Sequence, residues 1–291
     1  MRYICVFFLL IGLLSCEKDI DFALDESAPV LVVNGEIEQG KPPRIVLTKS
    51  FGFFSELSAD MLLNSFVRNA EVTLNNGTLT HRLKEYQVNL APGVNFYYYG
   101  IDSANLSTAF LGELNRSYFL NIQAEGKTYQ STTSIPDLDW IPDSVFFKPQ
   151  PLNPDTNARV MFIKATEPAG LGNYLRYFTQ LNNQPFYPPF NSVFSDEIID
   201  GTTYTVQADI GFDRNTEFEP GKSLISKGDT LTLKFCNIDR STYKFWNTWE
   251  FASQSLGNPF SQPSKVIGNV SNGALGAFCG YAAWYNTYII P

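Results

Sequence analysis

The sequence predicts a mainly β protein made of two β-sandwich domains, the first immunoglobulin-like or transthyretin-like and the second carrying one helix near its C-terminus. Three observations carry that prediction. Aromatic residues make up 15% of the 291 residues, with 24 Phe and 15 Tyr, and they fall in short stretches rich in Val, Ile and Thr, the composition of strands. Apolar and polar side chains alternate along these stretches, as in Ala70, Val72 and Leu74 against Glu71, Thr73 and Asn75, the period of a half-buried strand. Turn dipeptides such as Asn76-Gly77 and Glu125-Gly126 separate them.

The order of elements begins with a targeting segment over residues 1–15. Met1-Arg2-Tyr3 gives a short positive start, and Ile4 to Leu14 is apolar apart from Gly12, the length of a signal h-region. This run is too short for a spanning helix, which needs about 20 apolar residues. Leu13-Leu14-Ser15-Cys16 resembles the bacterial lipobox, in which an apolar and a small residue precede the cysteine that is acylated. Two or three acyl chains on Cys16 exceed the limit of reversible single-chain binding, so the chain is expected to stay on its membrane. Residues 16–28 are polar and acidic and read as a lipidated tether.

The first domain is expected over residues 29–136. Val30 to Ile37 and Ile45 to Thr48 flank the turn Gln39-Gly40-Lys41-Pro42-Pro43 and predict a hairpin. Ala70 to Asn75, Thr78 to Leu83, Asn95 to Ile101, Ser117 to Ala124 and Lys127 to Thr133 follow at sandwich spacing. Pro136 and Pro142 bracket Asp137 to Ile141, where the chain is expected to pass between domains.

The second domain is expected over residues 137–291. Arg159 to Ala165, Tyr174 to Leu181, Thr203 to Ile210 and Thr230 to Cys236 read as strands, and residues 183–195 as a long aromatic, proline-rich loop. Asp239 is placed to cap a helix over about 240–256. In it Tyr243, Trp246 and Trp249 recur on one stripe beside Phe245 and Ala252, and Gly257 is the stop. That aromatic face should pack on a sheet. Once the signal segment is removed, Cys236 and Cys279 are the cysteines left apart from Cys16, and an even pair in an exported chain predicts a disulfide. It would close a loop of about 43 residues and contribute roughly 4 kcal/mol.

The chain also resembles a known family. The lipobox with its acidic follow-on and Leu31-Val32-Val33-Asn34-Gly35 with Gln39-Gly40-Lys41-Pro42-Pro43 are similar to the opening of the Bacteroidota lipoprotein family catalogued as domain of unknown function 4249. Gly172 to Tyr177, Phe194 to Gly201, Asn258-Pro259-Phe260-Ser261 and Gly273 to Phe278 resemble its recurring stretches. Cys279 departs from the glycine-like residue expected there. The resemblance implies an outer-membrane lipoprotein accompanying a TonB-dependent receptor in nutrient uptake, with no reaction and no binding residues to carry over. Glu17-Lys18-Asp19-Ile20-Asp21 resembles the charged signal that directs such lipoproteins to the cell surface.

Charge and motifs narrow the chemistry. The net charge is −8 at pH 7 and no basic run exceeds a pair, so nucleic acid is not an expected partner. His81 is the single histidine; on its strand it is expected to face solvent, which leaves no triad or multi-histidine zinc site. No phosphate loop, dinucleotide fingerprint or Gly-x-Ser-x-Gly elbow occurs. Neither a cofactor nor a catalytic residue is expected. Asp196, Glu197 and Asp200 lie within five residues and read first as a solvated turn, with a calcium site or an acid pair as weak alternatives. Phe96-Tyr97-Tyr98-Tyr99 and Phe186-Tyr187-Pro188-Pro189-Phe190 hold rings that a strand or loop cannot bury all at once. Alternate tyrosines are expected in the core and in cross-strand pairs. Phe186, Tyr187, Phe190, Asn258 and Phe260 are the expected contacts for a receptor, a glycan or a peptide.

Overall fold

The structure, a computed structural model, describes residues 28–52, 58–216, 225–255 and 264–291. The protein is mainly β. The first strands are β1 (Leu31–Glu38), β2 (Arg44–Lys49), β3 (Glu71–Asn75), β4 (Thr80–Ala91), β5 (Val94–Ile101), β6 (Arg116–Ala124) and β7 (Lys127–Ile135). There follow β8 (Pro142–Pro149), β9 (Ala158–Thr166), β10 (Tyr174–Leu181), β11 (Val193–Ser195), β12 (Thr203–Ala208), β13 (Ile225–Ser226), β14 (Thr230–Ile238) and β15 (Leu275–Ile289). Two helices are described, α1 (Ala59–Asn64) and α2 (Arg240–Gln254). Helix α1 has no counterpart in the sequence expectations; its start is set by Ser58, whose hydroxyl accepts from the Met61 amide at 3.2 Å.

Eleven strands form one sheet in the order β11-β10-β14-β15-β1-β2-β5-β4-β3-β6-β7, and β8, β9, β12 and β13 form a second. The expected boundary near residue 136 coincides with the step from one sheet to the other, but the large sheet does not stop there. Strand β15 pairs in parallel with β1, from Val32 opposite Leu275 to Glu38 opposite Tyr281, and antiparallel with β14, from Ala282 opposite Asn237 to Ile289 opposite Thr230. The halves of the chain are thus hydrogen-bonded through one strand.

Alternation along the strands separates three cores. Leu231, Leu233 and Phe235 of β14 face Trp140, Met161 and Ile163 under the second sheet, whereas Cys236 and Ile238 face the opposite side, beneath α2 with Val193 and Phe245. Phe278 and Ala282 of β15 enter the N-terminal core of Ile37, Leu47, Leu74, Leu120 and Ile122, while Trp284 and Tyr288 further along pack against the core under the second sheet. Its odd residues, Ala277, Cys279, Tyr281 and Ala283, lie beneath α2. Both faces of β15 are therefore covered from Ala277 to Ala283, which is why that stretch reads as a continuous run and not as an alternation.

The tyrosine run divides as its alternation requires. Tyr99 is core, its hydroxyl donating to the Val67 carbonyl at 3.1 Å and to Glu85 at 3.0 Å. Tyr98 stacks on its cross-strand partner Tyr86 at 5.4 Å, and the Arg68 guanidinium lies 3.9 Å from the Tyr97 ring centroid.

Two glycines let β15 sit so close to its neighbours. A methyl group on Gly280 would meet the Ser134 carbonyl oxygen of β7 at 2.5 Å, and one on Gly276 would overlap the Val33 carbonyl oxygen. Gly276 also has φ +86°, a region that L side chains rarely enter. Gly276→Ala should therefore lower unfolding stability by about 2 kcal/mol or more. Urea denaturation checks this: the midpoint should fall, and an unchanged midpoint would show that the β1–β15 junction tolerates a side chain.

Candidate functional site

Helix α2 starts where the sequence places it because the Asp239 carboxylate accepts from the Thr242 amide at 2.7 Å. The same carboxylate accepts from the Ser134 amide at 2.7 Å and the Thr133 hydroxyl at 3.0 Å, so the cap also fastens the helix to β7. Trp246 and Trp249, three residues apart, project from the helix over the sheet. The Trp246 indole donates to the Tyr281 hydroxyl at 3.0 Å.

Beneath the tryptophans lies a cavity of about 430 Å³. Phe178 of β10 and Lys234 of β14, opposite each other on adjacent strands, form its floor, and Tyr285 of β15 is the neighbour of Lys234 on the other side. Arg176, two residues before Phe178 and so on the same face, joins Tyr281 in the wall, and Phe186 and Pro188 of the loop over residues 182–192 line another side. Phe186 holds its place by an edge-to-face contact with Tyr285 at 5.7 Å. Glu36 and Arg44 line the cavity and also a wider groove of about 950 Å³ that runs over Tyr86, Phe96 and Tyr98. Both aromatic runs singled out in the sequence thus border one recessed surface.

The electrostatics of the cavity rest on two cations, the buried Arg176 and the half-buried Lys234. Arg176, 3% exposed, donates from Nε to the Ser192 hydroxyl at 3.1 Å and from Nη1 to the Tyr281 hydroxyl at 3.2 Å. Its guanidinium lies 3.4 Å from the Trp246 ring centroid and 4.6 Å from that of Phe178, cation–π contacts in a site largely closed to water. Ser192 in turn donates its amide to Glu250 at 3.0 Å and its hydroxyl to the other carboxylate oxygen. Burial pushes the Glu250 carboxyl above the usual range, against the pull of Ser192, Arg176 and Arg214.

Lys234 is held differently. Its ammonium meets Glu38 at 2.6 Å. Glu38 also pairs with Lys41 at 2.7 Å and accepts from the Tyr285 hydroxyl at 2.6 Å. Burial alone would raise the Glu38 carboxyl, but Lys234, Lys41 and Tyr285 outweigh it and hold it below the usual carboxylate value. The geometry suits retention of an anionic ligand with a flat or ring-shaped apolar part.

The sequence-marked residues meet different fates. Phe186 reaches the cavity; Tyr187 is half-buried, its hydroxyl donating to Asp213 at 3.3 Å, and its backbone pairs with Thr179. Phe190 packs on Phe212 at 4.4 Å and remains 41% exposed. Asn258 and Phe260 lie outside the described residues, as does Cys16. Residues 197–201 form a turn in which Glu197 and Asp200 are exposed, as the sequence suggests, but Asp196 is buried, accepting from the Gly172 and Asn173 amides at 2.6 and 2.7 Å, and Asp200 accepts from the Gly170 amide at 2.6 Å. These carboxylates brace two loops against each other. Glu197 is exposed beside a separate, largely apolar cavity of about 360 Å³. Among the described residues no group of three or more His, Cys, Asp or Glu side chains is disposed to hold a metal ion.

Two further expectations are corrected. Cys236 and Cys279 are free, buried thiols and do not bridge. Cys236 stands opposite Ala283 of β15 while Cys279 stands opposite Glu36 of β1. That four-residue offset separates them by about 13 Å along the strand, beyond the roughly 7 Å between Cα atoms that a disulfide spans. Burial pushes the thiols up to about 12 and about 11. His81 is buried, not solvent-facing: Asp102 donates its amide to Nε2 at 3.0 Å, so Nδ1 carries the proton and donates to the Thr108 hydroxyl at 2.9 Å. Arg176, Lys234 and Tyr281 are not among the sequence candidates. Their signal was a charge inside an apolar strand pattern, at Arg176 in Tyr174 to Leu181 and at Lys234 in Thr230 to Ile238.

Fold and cavity define a mainly β protein with a cationic, aromatic-lined recess under helix α2. Residues 17–284 match the family described as Domain of unknown function (DUF4249). The chain belongs to that family. No curated protein matches it.

Two outcomes follow from the corrected residues. Denatured but unreduced protein treated with iodoacetamide should gain two modifications on the peptides of Cys236 and Cys279, and almost none while folded; mass analysis finding them linked would overturn the register. For His81 the folded pKa lies below 6.5, chiefly because burial disfavours the charged ring. The unfolded chain therefore takes up a proton that the native state refuses. The neutral ring's contribution is complete above about pH 6.5 and is lost as pH falls toward the folded pKa. Chemical denaturation at about pH 8 and about pH 5.5 should show a steeper loss for the parent than for His81→Gln; equal slopes would refute it.

Proposed function

We propose that this protein is a non-enzymatic, lipid-anchored lipoprotein of the outer membrane, exposed at the cell surface, that serves as an accessory subunit of a TonB-dependent receptor in nutrient uptake. The observation that carries a binding role is the recess under α2, where two tryptophans, the buried Arg176 and the half-buried Lys234 border an open groove. The one hydroxyl–carboxylate pair beside it, Ser192 with Glu250, is buried and is occupied in holding Arg176, and neither residue lines the cavity, while Arg176 and Lys234 are charged donors. The lipobox at Leu13 to Cys16 supports the anchor, and the likeness to receptor-associated lipoproteins supports the partner. Two sandwich modules over residues 29–136 and 137–291, joined through β15, would hold the recess at a fixed distance from the membrane. A tether over residues 16–28 keeps it at high effective concentration near a receptor barrel, so weak contacts suffice.

The aromatic walls favour a second reading, a glycan- or peptide-binding module that works without a receptor. Detergent extraction and affinity purification of the intact lipoprotein separate the two. A TonB-dependent receptor should copurify, and Cys16→Ser should leave the protein unprocessed or released from the outer-membrane fraction. Cys16→Ser protein that fractionates with outer membranes as the parent does would overturn the anchor. Recovery of the parent lipoprotein without any receptor would favour the second reading.

A further inference from the structure

Each cation lining the recess has a carboxylate of its own except one. Lys234 is paired with Glu38 at 2.6 Å and Arg44 with Glu36 at 3.0 Å. Arg176 touches no carboxylate among the described residues; its bonds go to the neutral hydroxyls of Ser192 and Tyr281. Glu250 is one hydrogen bond further off, behind Ser192, and burial raises its carboxyl toward the neutral form. The Nη2 nitrogen of Arg176 has no hydrogen-bond partner among the described residues, and it is not among the buried polar atoms left without one. That nitrogen therefore keeps access to the cavity the residue lines.

A buried, unpaired guanidinium is costly unless something compensates its charge. Here Trp246 and Phe178 flank it at 3.4 and 4.6 Å, and such contacts offset only part of that cost. The guanidinium is held through Nε and Nη1 with the Nη2 amino group left open, an arrangement ready for an oxyanion.

We infer that the recess binds a ligand carrying a single carboxylate on a ring-sized body, with the carboxylate on Arg176 and the body between Trp249, Phe186 and Pro188. The inference rests on the reading of the recess as a binding site and names what it takes. A carboxylate is favoured over a phosphate by charge count. One cation lacks a partner, so one negative charge is matched, whereas a dianion would leave a second buried charge uncompensated. The size follows from the volume of about 430 Å³, which is near the lower end of ligand cavities and admits one or two rings. Ring faces on tryptophan and phenylalanine accept the apolar face of a sugar or a phenyl group alike. An acidic sugar and a peptide C-terminus are therefore the two sources of this chemistry.

Calorimetry on the detergent-solubilised full-length lipoprotein tests it with two matched pairs, galacturonate against galactose and N-acetylphenylalanine against its amide. At least one acid should bind about tenfold or more tightly than its neutral partner, and the pair that does so identifies the source. Arg176→Gln should remove that preference, leaving acid and neutral analogue equal. Phe186→Ala, a half-exposed wall position that does not touch the charge, should weaken both members of the pair and keep the preference. Should Arg176→Gln fail to fold, the parent is titrated in raised salt, which should narrow the gap between acid and neutral analogue. Equal binding of acid and neutral partner, no binding by either acid, or an undiminished preference in folded Arg176→Gln would each overturn the inference. None of these results bears on receptor copurification, which tests the proposed role separately.

Discussion

The rest of the structure depends on the pairing of β15 with β1. Among the described strands it is the one parallel pairing, the others being antiparallel, and it joins strands about 240 residues apart. Parallel pairing needs no hairpin to set its register, so side-chain burial must fix it. It does so from both faces. Phe278 and Ala282 are claimed by the N-terminal core, Cys279 and Tyr281 by the core beneath α2, and a slip of one residue would exchange the two sets. At Gly276 and Gly280 a side chain would push away the backbones of β1 and β7.

The recess inherits its geometry from that register. Tyr281, which bonds Arg176 and Trp246, is opposite Glu38 across the parallel pair, and Glu38 is the carboxylate that neutralises Lys234. Partners for one site thus come from β1, β10, β14, β15 and α2. A buried ion pair of this kind is weak support for stability, because desolvation cancels much of its attraction. Its stronger consequence is specificity of arrangement: moving β15 by one residue would strand Lys234 and Glu38 without each other.

Much of the fold was legible because it is written locally. Period-two alternation marks β3, the turn residues Asn76-Gly77 and Glu125-Gly126 mark hairpins, and Asp239 marks the helix start, each within a few residues of the effect it produces. What stayed hidden is set by partners far along the chain. His81 looks like a polar residue on an exposed strand face, yet Asp102 and Thr108, more than twenty residues away, supply both its hydrogen bonds. The cysteines look like a disulfide until the register sets Cys236 opposite Ala283. Asp196 reads as a surface carboxylate, whereas the backbone amides of Gly172 and Asn173 satisfy it in the interior. Composition carries no record of such pairings.

The recess is hidden in the sequence for the same reason, although its aromatic wall is visible there. Aromatic runs are visible as residue types, so Phe186 was marked, but the value of Arg176 lies in what surrounds it. A lone arginine in Tyr174 to Leu181 is compatible with an exposed edge position, and only the arrival of Trp246 from a helix some seventy residues later turns it into a buried cation. Charge inside an apolar strand is thus a signal worth following when the strand is central. Strand β10 lies between β11 and β14 and β14 between β10 and β15, so neither Arg176 nor Lys234 can turn its head to solvent around an edge, and each must find its compensation in the recess.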